Sequence, residues 1–155
     1  MIEAGKLFFE FSSLSLPKKE TMDIEELIRK VIGAAISVHR ELGPGYVESV
    51  YEEAITVEFE RQGIRFERQK IVPILYLGRK VGEHRLDLLV EDCLIVENKA
   101  VSELDPIFFV IVRSYLKAAG KKEALLFNFA AMPLTIKRVG PEDTFRYRGL
   151  HEDPP

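Results

Sequence analysis

The sequence predicts a single α/β or α+β domain, built as a mixed β-sheet flanked by helices. Its 155 residues, of which 46% are hydrophobic and 30% charged, suit one domain with a core of its own. The spacing of apolar residues gives the order helix, helix, several strands, helix, two strands. Because the third helix separates the strands expected at 93–100 and 123–129, it has the position of a right-handed crossover between parallel neighbours.

Three helices are predicted, at 24–41, 47–62 and 106–118. Asp23 and Glu26 form a capping box before the first helix, and apolar residues then recur at helical spacing. A Gly-Pro-Gly turn precedes the second helix, and Gly63 and Gly120 are placed to end the second and third.

Strand-like runs are predicted at 64–69, 71–77, 82–90, 93–100, 123–129 and 134–139. The segment "LGRK" is expected to be the turn between the second and third of these strands. We expect residues 22–140 to form the folded domain. Residues 1–21 are interpreted as an arm or a start codon assigned too early, and residues 141–155 as a polar tail.

The composition narrows the classes of function. A formal net charge of -3 and a pI near 5.7 give no global signal for nucleic acid, although they leave a local basic groove open. Cys93 is the single cysteine, which excludes an internal disulfide and favours a cytoplasmic protein. The three histidines are scattered, so any metal is expected to be a hard ion held by carboxylates. No apolar run approaches the ~20 residues of a membrane-spanning helix, so no membrane partner is expected.

The stretch "DLLVEDCLIVENKA", which begins at Asp87, is typical of a buried hairpin yet carries charges at both of its open ends. A two-residue turn at 91–92 would pair Asp87 with Val96 and place the acidic side chains on opposite faces. A three-residue turn at 91–93 would instead pair Asp87 with Glu97. We favour the second register because it gives a clean apolar face, with the pairs Leu88–Val96 and Val90–Leu94.

In the favoured register Asp87, Glu97 and Lys99 converge at one end of the hairpin. Two carboxylates this close repel each other unless a cation lies between them, and a hard divalent ion such as Mg²⁺ meets that need. A lysine beside such a site can help deprotonate water or stabilise charge on a phosphoryl oxygen. The alternative is a solvent-facing ion-pair cluster, which is what an arbitrary D…ExK pattern most often is.

Further motifs in the same order carry a resemblance to a known family. The strings "GYVESVY", "HRLDLLVEDCLIVENKA" and "SYLKAAG" together resemble the GxxExxY proteins, which are assigned to the PD-(D/E)XK nuclease superfamily. The resemblance covers about residues 23–139. It implies a restriction-endonuclease-like core, in which a mixed β-sheet is flanked by helices, in agreement with the element order above.

The same resemblance implies roles for four residues. Asp87 and Glu97 would bind Mg²⁺, or Mn²⁺ in its place, and Lys99 would be the catalytic lysine. Glu48 would be a further metal ligand or would position water. Without the resemblance, Glu48 has the pattern of an acid on the solvated face of a helix.

One departure from the family pattern concerns the third helix. Members of the family carry a sequence of the form P-x-H-x-x-Q-x-x-x-Y there. When Pro106 and Tyr115 are aligned with its ends, Phe108 and Ile111 occupy the histidine and glutamine positions.

The sequence therefore predicts a Mg²⁺-dependent nuclease-like phosphodiesterase acting on DNA or RNA, whose activity the apolar residues Phe108 and Ile111 could weaken. The alternative is a catalytically degenerate domain of the same fold that binds nucleic acid or protein. The apolar segment 106–112 is a candidate surface for a homodimer.

Several other residues received a less specific interpretation. Tyr51 and Tyr115 lie on apolar stripes, which favours a place in the core over a place at the site. His84 has the opposite strand parity from Asp87 and is expected to point away from the site. Basic residues cluster around the first strands, as a phosphate-contacting rim or as ordinary solvated surface: Arg61, Arg65, Arg68, Lys70, Arg79, Lys80 and Arg85.

Overall fold

The computed structural model describes residues 22–141, which form a five-stranded mixed sheet with helices on both faces. The helices are α1 (Ile24–Leu42), α2 (Glu48–Gln62) and α3 (Ile107–Ala119), and the strands are β1 (Phe66–Tyr76), β2 (Arg79–Val90), β3 (Leu94–Lys99), β4 (Glu123–Asn128) and β5 (Thr135–Val139). The arm at 1–21 and, apart from Pro141, the tail at 141–155 lie outside the described residues, so both interpretations stay predictions.

The strands lie in sequence order, β1-β2-β3-β4-β5. All neighbours are antiparallel except β3 and β4, which run parallel and are joined through α3. Parallel neighbours need a crossover, and α3 supplies it, as the sequence predicted. The expected α/β architecture is therefore confirmed.

The prediction of separate strands at 64–69 and 71–77 was wrong, because β1 is one continuous strand. Gln69, the last residue of the first predicted run, has φ 49° and lies inside β1 as a local irregularity. The turn is also shorter than "LGRK". Leu77 and Gly78 alone form it, both with positive φ, as in a two-residue hairpin turn, so β2 begins at Arg79 rather than at residue 82.

The sheet separates two apolar cores. Alternation along β3 shows the division, since Leu94 and Val96 pack with α1 and α2 while Ile95 packs with α3. Both β3 and β4 are buried on both faces, which is the pattern expected of central strands under helices.

The start of α2 is fixed by Tyr51, which is fully buried and stacks on Phe129 with 4.4 Å between ring centroids. Its hydroxyl donates to the carbonyl of Gly43 at 2.6 Å and accepts from the backbone N–H of Tyr46 at 3.2 Å. The tyrosine of "GYVESVY" is therefore a core residue, as interpreted, and it anchors the turn from which Glu48 projects. Within residues 22–141 no helix has the length and apolar character needed to span a bilayer.

Candidate active site at the end of β2 and β3

The β2–β3 hairpin adopts the favoured register. The backbone pairs are Leu88–Val96, Leu89–Ile95 and Val90–Leu94, which confirms the three-residue turn. Glu91 and Asp92 both have positive φ in that turn, and the N–H of Cys93 donates to the carbonyl of Val90 at 3.0 Å. Continued by one step, this register sets Asp87 opposite Glu97.

At that step the side chain of Asp87 replaces the backbone ladder. The N–H of Asn98 donates to Asp87 Oδ2 at 3.0 Å, so the carboxylate lies between the two strands. Strand β2 also changes face here, because Leu86 packs in the α3 core whereas Leu88 packs in the α1–α2 core. The irregularity aims a carboxylate into the gap between the strand ends.

Glu97 and Lys99 lie on the α3 side of the same gap. Glu97 is only 4% exposed, and its Oε1 is 3.1 Å from Lys99 Nζ. Its other carboxylate oxygen, Oε2, is buried and has no hydrogen-bond partner among the described residues. Lys99 Nζ in turn lies 4.8 Å from the ring centroid of Phe108, in cation–π contact.

Glu48 reaches the same place from the first turn of α2. Its Oε1 accepts from the N–H of Ala100 at 3.4 Å, directly after Lys99 in the chain. Its negative charge raises the pKa of both Asp87 and Lys99. The structure therefore brings together all four predicted site residues, from α2, β2 and β3.

The electrostatics of the site show how closely the two carboxyl groups interact. Burial, followed by repulsion from Asp87, raises the pKa of Glu97 to about 8. Burial also raises the pKa of Asp87, although the N–H of Asn98 opposes the change. Burial alone would lower the pKa of Lys99, but its attraction to Glu97, Glu48 and Asp87 outweighs burial, and that pKa is raised. The facing carboxyl groups of buried Glu97 and half-buried Asp87 cannot both ionise here without more positive charge than Lys99 supplies.

A sequence model of the PD-(D/E)XK nuclease superfamily matches residues 25–139. The chain belongs to the PD-(D/E)XK nuclease superfamily. No curated protein matches the chain. Among solved structures, the crystal structure of SSO0001 is similar with a TM-score of 0.45 and 13% sequence identity, covering 89% of this chain and 76% of that one.

A divalent metal is the usual cofactor of PD-(D/E)XK nucleases, and the donors at this site suit a hard cation. Asp87, Glu97 and Glu48 supply only carboxylate oxygens, and the buried Oε2 of Glu97 has no other partner among the described residues. In residues 22–141, however, no three His, Cys, Asp or Glu side chains already stand in a metal-binding arrangement. The ammonium of Lys99 provides the positive charge beside Glu97 in this structure.

Glu52 is a part of this candidate site that the sequence interpretation missed, because the sequence alone shows it as one of several acids on a solvated helix face. It is 7% exposed and accepts from Arg68 Nε at 3.1 Å and Gln69 Nε2 at 2.9 Å. By the β1–β2 register Gln69 lies opposite Asp87, and the charge of Glu52 raises the pKa of Asp87. The spacing of four residues from Glu48, which puts both acids on one helix face, is the signal that could have found it.

Tyr115 lies beside the carboxylates rather than wholly in the core. It is half-buried, and burial together with the charges of Glu97 and Asp87 raises its pKa to about 12. The prediction that His84 points away from the site was wrong. The centroids of the His84 and Tyr115 rings are 4.7 Å apart, and His84 Nε2 lies 3.2 Å from Ser114 Oγ. The parity argument failed because β2 changes face around Asp87.

The departure from the family pattern lies at the site itself. The ring of Phe108 lies against Lys99, at the position where the GxxExxY pattern that the sequence resembles has a histidine, and Ile111 is half-buried on the same helix. In the same segment Ile107 and Val110 are 50% and 37% exposed. A homodimer through residues 106–112 stays a prediction.

Most of the predicted basic rim is neutralised by nearby acids. The ion pairs are Arg61–Glu58, Arg65–Glu91, Arg68–Glu52, Arg68–Glu53, Lys70–Glu67 and Lys80–Glu83. For these residues the interpretation as ordinary surface fits better than a phosphate-contacting rim. Arg79 and Arg85 make no ion pair within residues 22–141.

Proposed function

We propose that this protein is a divalent-metal-dependent nuclease that hydrolyses phosphodiester bonds of DNA or RNA. The observation that carries the proposal is the facing pair of carboxyl groups, buried Glu97 and half-buried Asp87, with Lys99 beside them in a chain of this superfamily. An isolated surface ion pair would not raise the pKa of a glutamate to about 8, as burial and Asp87 do here for Glu97.

Asp87 and Glu97 are the residues that would hold the metal, with Glu48 as a third ligand or as the group that orients water. Their all-oxygen donor set favours Mg²⁺, with Mn²⁺ as a substitute. When bound, such an ion polarises a phosphoryl oxygen and lowers the pKa of water.

The chain's own side chains then supply orientation and charge. Lys99 is protonated, since the surrounding carboxylates raise its pKa, so it stabilises negative charge on a phosphoryl oxygen. Tyr115 also stays protonated at neutral pH and can donate a hydrogen bond at the site. The N–H of Asn98 holds Asp87 in one orientation.

A second candidate is a domain of the same fold that binds nucleic acid without cutting it. Phe108 favours this candidate because it places an apolar ring against Lys99 where the family pattern has an imidazole. Such a protein would bind with an affinity that falls as salt rises, but it would show no turnover.

The test is cleavage of single- and double-stranded DNA and RNA with Mg²⁺ or Mn²⁺, in the wild type and in Glu97→Gln and Lys99→Met variants. We expect both substitutions to reduce the rate at least about 100-fold, as loss of one electrostatic catalytic group does in other enzymes. Glu67→Gln, an exposed acid of β1 paired with Lys70, is the matched control. Equal rates in the wild type and both site variants would reject catalysis at this site, and binding without any cleavage would favour the second candidate.

A further inference from the structure

The β1–β2 hairpin extends well beyond the rest of the sheet. Strand β2 pairs with β3 only over Leu88–Val90, whereas β1 and β2 pair with each other as far as Tyr76 and Arg79. We call residues 70–85 the hairpin arm. The outer part of the arm pairs with no third strand, so only the hydrogen bonds between β1 and β2 hold it together.

The tip of the hairpin arm is apolar and exposed. Tyr76 is 67% exposed and Leu77 is 87% exposed. Leu75 and Val81 are each 62% exposed beside them. Large apolar side chains gathered at a protruding turn are costly in water, and such groupings mark surfaces that contact a partner.

The hairpin arm is also basic, in contrast to the rest of the chain. Residues 70–85 contain four basic residues and one acid, a net charge of 4 − 1 = +3 within a chain of net charge -3. Lys70 is paired with Glu67 and Lys80 with Glu83, so Arg79 and Arg85 are the cations of the arm that remain available to a ligand. Its charged residues are Lys70, Arg79, Lys80, Arg85 and Glu83. The remaining residues therefore sum to -6, and the positive charge is concentrated on the arm. This distribution is complementary to a polyanion.

The tip and the nuclease site share one face of the sheet. Val72 packs in the α3 core, and its partner His84 contacts Tyr115, which lies beside Glu97 and Asp87. The hairpin has a register shift between Ile74 and Leu75, where Val81 of β2 is left without a partner. The extra residue lies in β2, so alternation along β1 still puts Tyr76 on the same face as Val72, and Tyr76 pairs with Arg79. A strand bound at the site can therefore continue along the arm to an exposed aromatic ring with a cation beside it.

A second copy of the chain fits the arm less well than a nucleic acid does. Strand β1 is an edge strand, but Pro73 lies in its middle and has no N–H to donate to an incoming strand. The positive φ of Gln69 breaks the regularity of the same edge. Two arms of charge +3 would also repel each other.

We propose that the tip of the hairpin arm binds the unpaired strand of a nucleic acid whose backbone lies at Asp87 and Glu97. Tyr76 stacks on a base, and Arg79 contacts the adjoining phosphate. Leu75 and Leu77 widen the apolar platform around the ring. Aromatic rings that stack on bases, together with cations that contact phosphates, are what proteins use to bind single-stranded nucleic acids. This inference rests on the proposed function, because it names how the substrate of that site is held.

The geometry sets the length of substrate that reaches the tip. Eight residues separate Asp87 from Arg79 along β2, which corresponds to roughly 26 Å at ~3.3 Å per residue. At the stacked-strand spacing of ~3.4 Å per nucleotide, this distance spans about seven or eight nucleotides, and fewer when the unpaired strand is extended. A 6-mer cut at its centre leaves too few nucleotides on either side to reach the tip, whereas a 20-mer reaches it.

The first measurement is the affinity for fluorescent single-stranded 20-mers of the same sequence, as DNA and as RNA, in EDTA so that no cleavage is needed. We expect Tyr76→Ala to weaken binding of at least one of them about tenfold or more, and Tyr76→Phe to restore it, since stacking needs only the ring. Arg79→Ala should reduce the slope of log affinity against log salt by about one. Arg29→Ala removes the same charge from an exposed position of α1, and it should leave the affinity unchanged.

The second measurement is cleavage of a 6-mer and a 20-mer. Tyr76→Ala should raise KM for the 20-mer without changing kcat, and should leave the 6-mer unaffected.

If the wild type cuts nucleic acid but Tyr76→Ala and Arg79→Ala bind the 20-mers like the wild type, the arm proposal is overturned and the proposed function stands. If binding depends on Tyr76 but no metal gives cleavage, the arm proposal stands and the nuclease proposal fails. If sedimentation shows a dimer that Tyr76→Ala dissociates with no change in nucleic-acid binding, the tip is a self-association site and the arm proposal is overturned.

Discussion

Glu97 is a buried acid whose pKa is strongly raised by its surroundings. It is 4% exposed and faces Asp87, which is its hydrogen-bond partner when one of the two carboxyl groups is protonated. Burial and Asp87 raise its pKa to about 8, so the metal-free folded protein carries a proton there at neutral pH. The same side chain is therefore a neutral acid at low pH and, in the function proposed above, a metal ligand at higher pH.

This dual state gives the metal-free protein a pH-dependent stability. The unfolded glutamate has a pKa near 4.5 and the folded one about 8, so folded Glu97 retains a proton that the unfolded chain releases between these values. The free energy of unfolding should therefore fall as pH rises, by about 3 kcal/mol between pH 5 and pH 8. Denaturant titration in EDTA at several pH values measures this change in the free energy of unfolding.

Glu97→Gln is the control for that titration, because the amide cannot titrate. The difference between the variant and the wild type should grow steadily from pH 5 to pH 8, with the variant the more stable at pH 8. Glu67→Gln, which changes an exposed acid, should follow the wild type. Parallel wild-type and Glu97→Gln curves would show that Glu97 ionises normally.

Phe108 sets a second expectation at the residue scale. An imidazole at this position could reach a bound phosphate beside Lys99, whereas the ring of Phe108 offers Lys99 only a cation–π contact. Phe108→His should therefore raise kcat for nucleic-acid cleavage several-fold with little change in metal affinity. The neighbouring Ile107→His, at a half-exposed position, controls for the added imidazole. Unchanged or lower kcat would mean that the family's histidine has no counterpart role in this chain.

The site residues differ in how far the sequence predicts them. Asp87, Glu97 and Lys99 follow from strand parity and one choice of register, since a hairpin leaves few alternatives. Glu48 needed the family resemblance, because helix periodicity alone does not distinguish it from other acids. His84 could not be placed by parity, because the face change of β2 at Asp87 depends on tertiary contacts that no local pattern records.

At the scale of elements, α2 and β1 jointly support the strand that carries Asp87. Glu52 of α2 binds Arg68 and Gln69 of β1, and Gln69 keeps its positive φ opposite Asp87. The irregularity in β1 and the one in β2 thus lie side by side, which lets the Asp87 side chain enter the gap toward β3. The sequence predicted a break near this point but exaggerated it into two strands.

Removal of this support should affect both stability and activity. Glu52→Gln should lower the free energy of unfolding by about 1–3 kcal/mol, because Arg68 loses a buried charged partner. It should also lower cleavage by relaxing the strand at Asp87. Glu53→Gln is the matched control, since Glu53 also pairs with Arg68 but is exposed, and should cost less than about 1 kcal/mol. Equal effects of the two substitutions would contradict a positioning role for Glu52.

At the scale of the whole molecule, the fold holds two helical layers against one sheet and opens the site where the sheet ends. The layer of α1 and α2 contributes Glu48, the sheet contributes Asp87, Glu97 and Lys99, and α3 contributes Tyr115. The element order made this architecture predictable, since a helix between parallel strands must cross one face of the sheet. The length of the hairpin arm was not predictable, because the periodicity of β1 and β2 does not show where β3 stops pairing.

The central claim, that Asp87 and Glu97 together hold a divalent cation, is tested most directly by calorimetric titration of the protein with Mn²⁺ and Mg²⁺ at several pH values. The account predicts one site that tightens as pH rises toward 8 and releases protons at pH 7, because Glu97 must lose its proton to bind. The same titration of Glu97→Gln should show the site lost. Equal binding by the wild type and Glu97→Gln, or no binding by either, would contradict the claim.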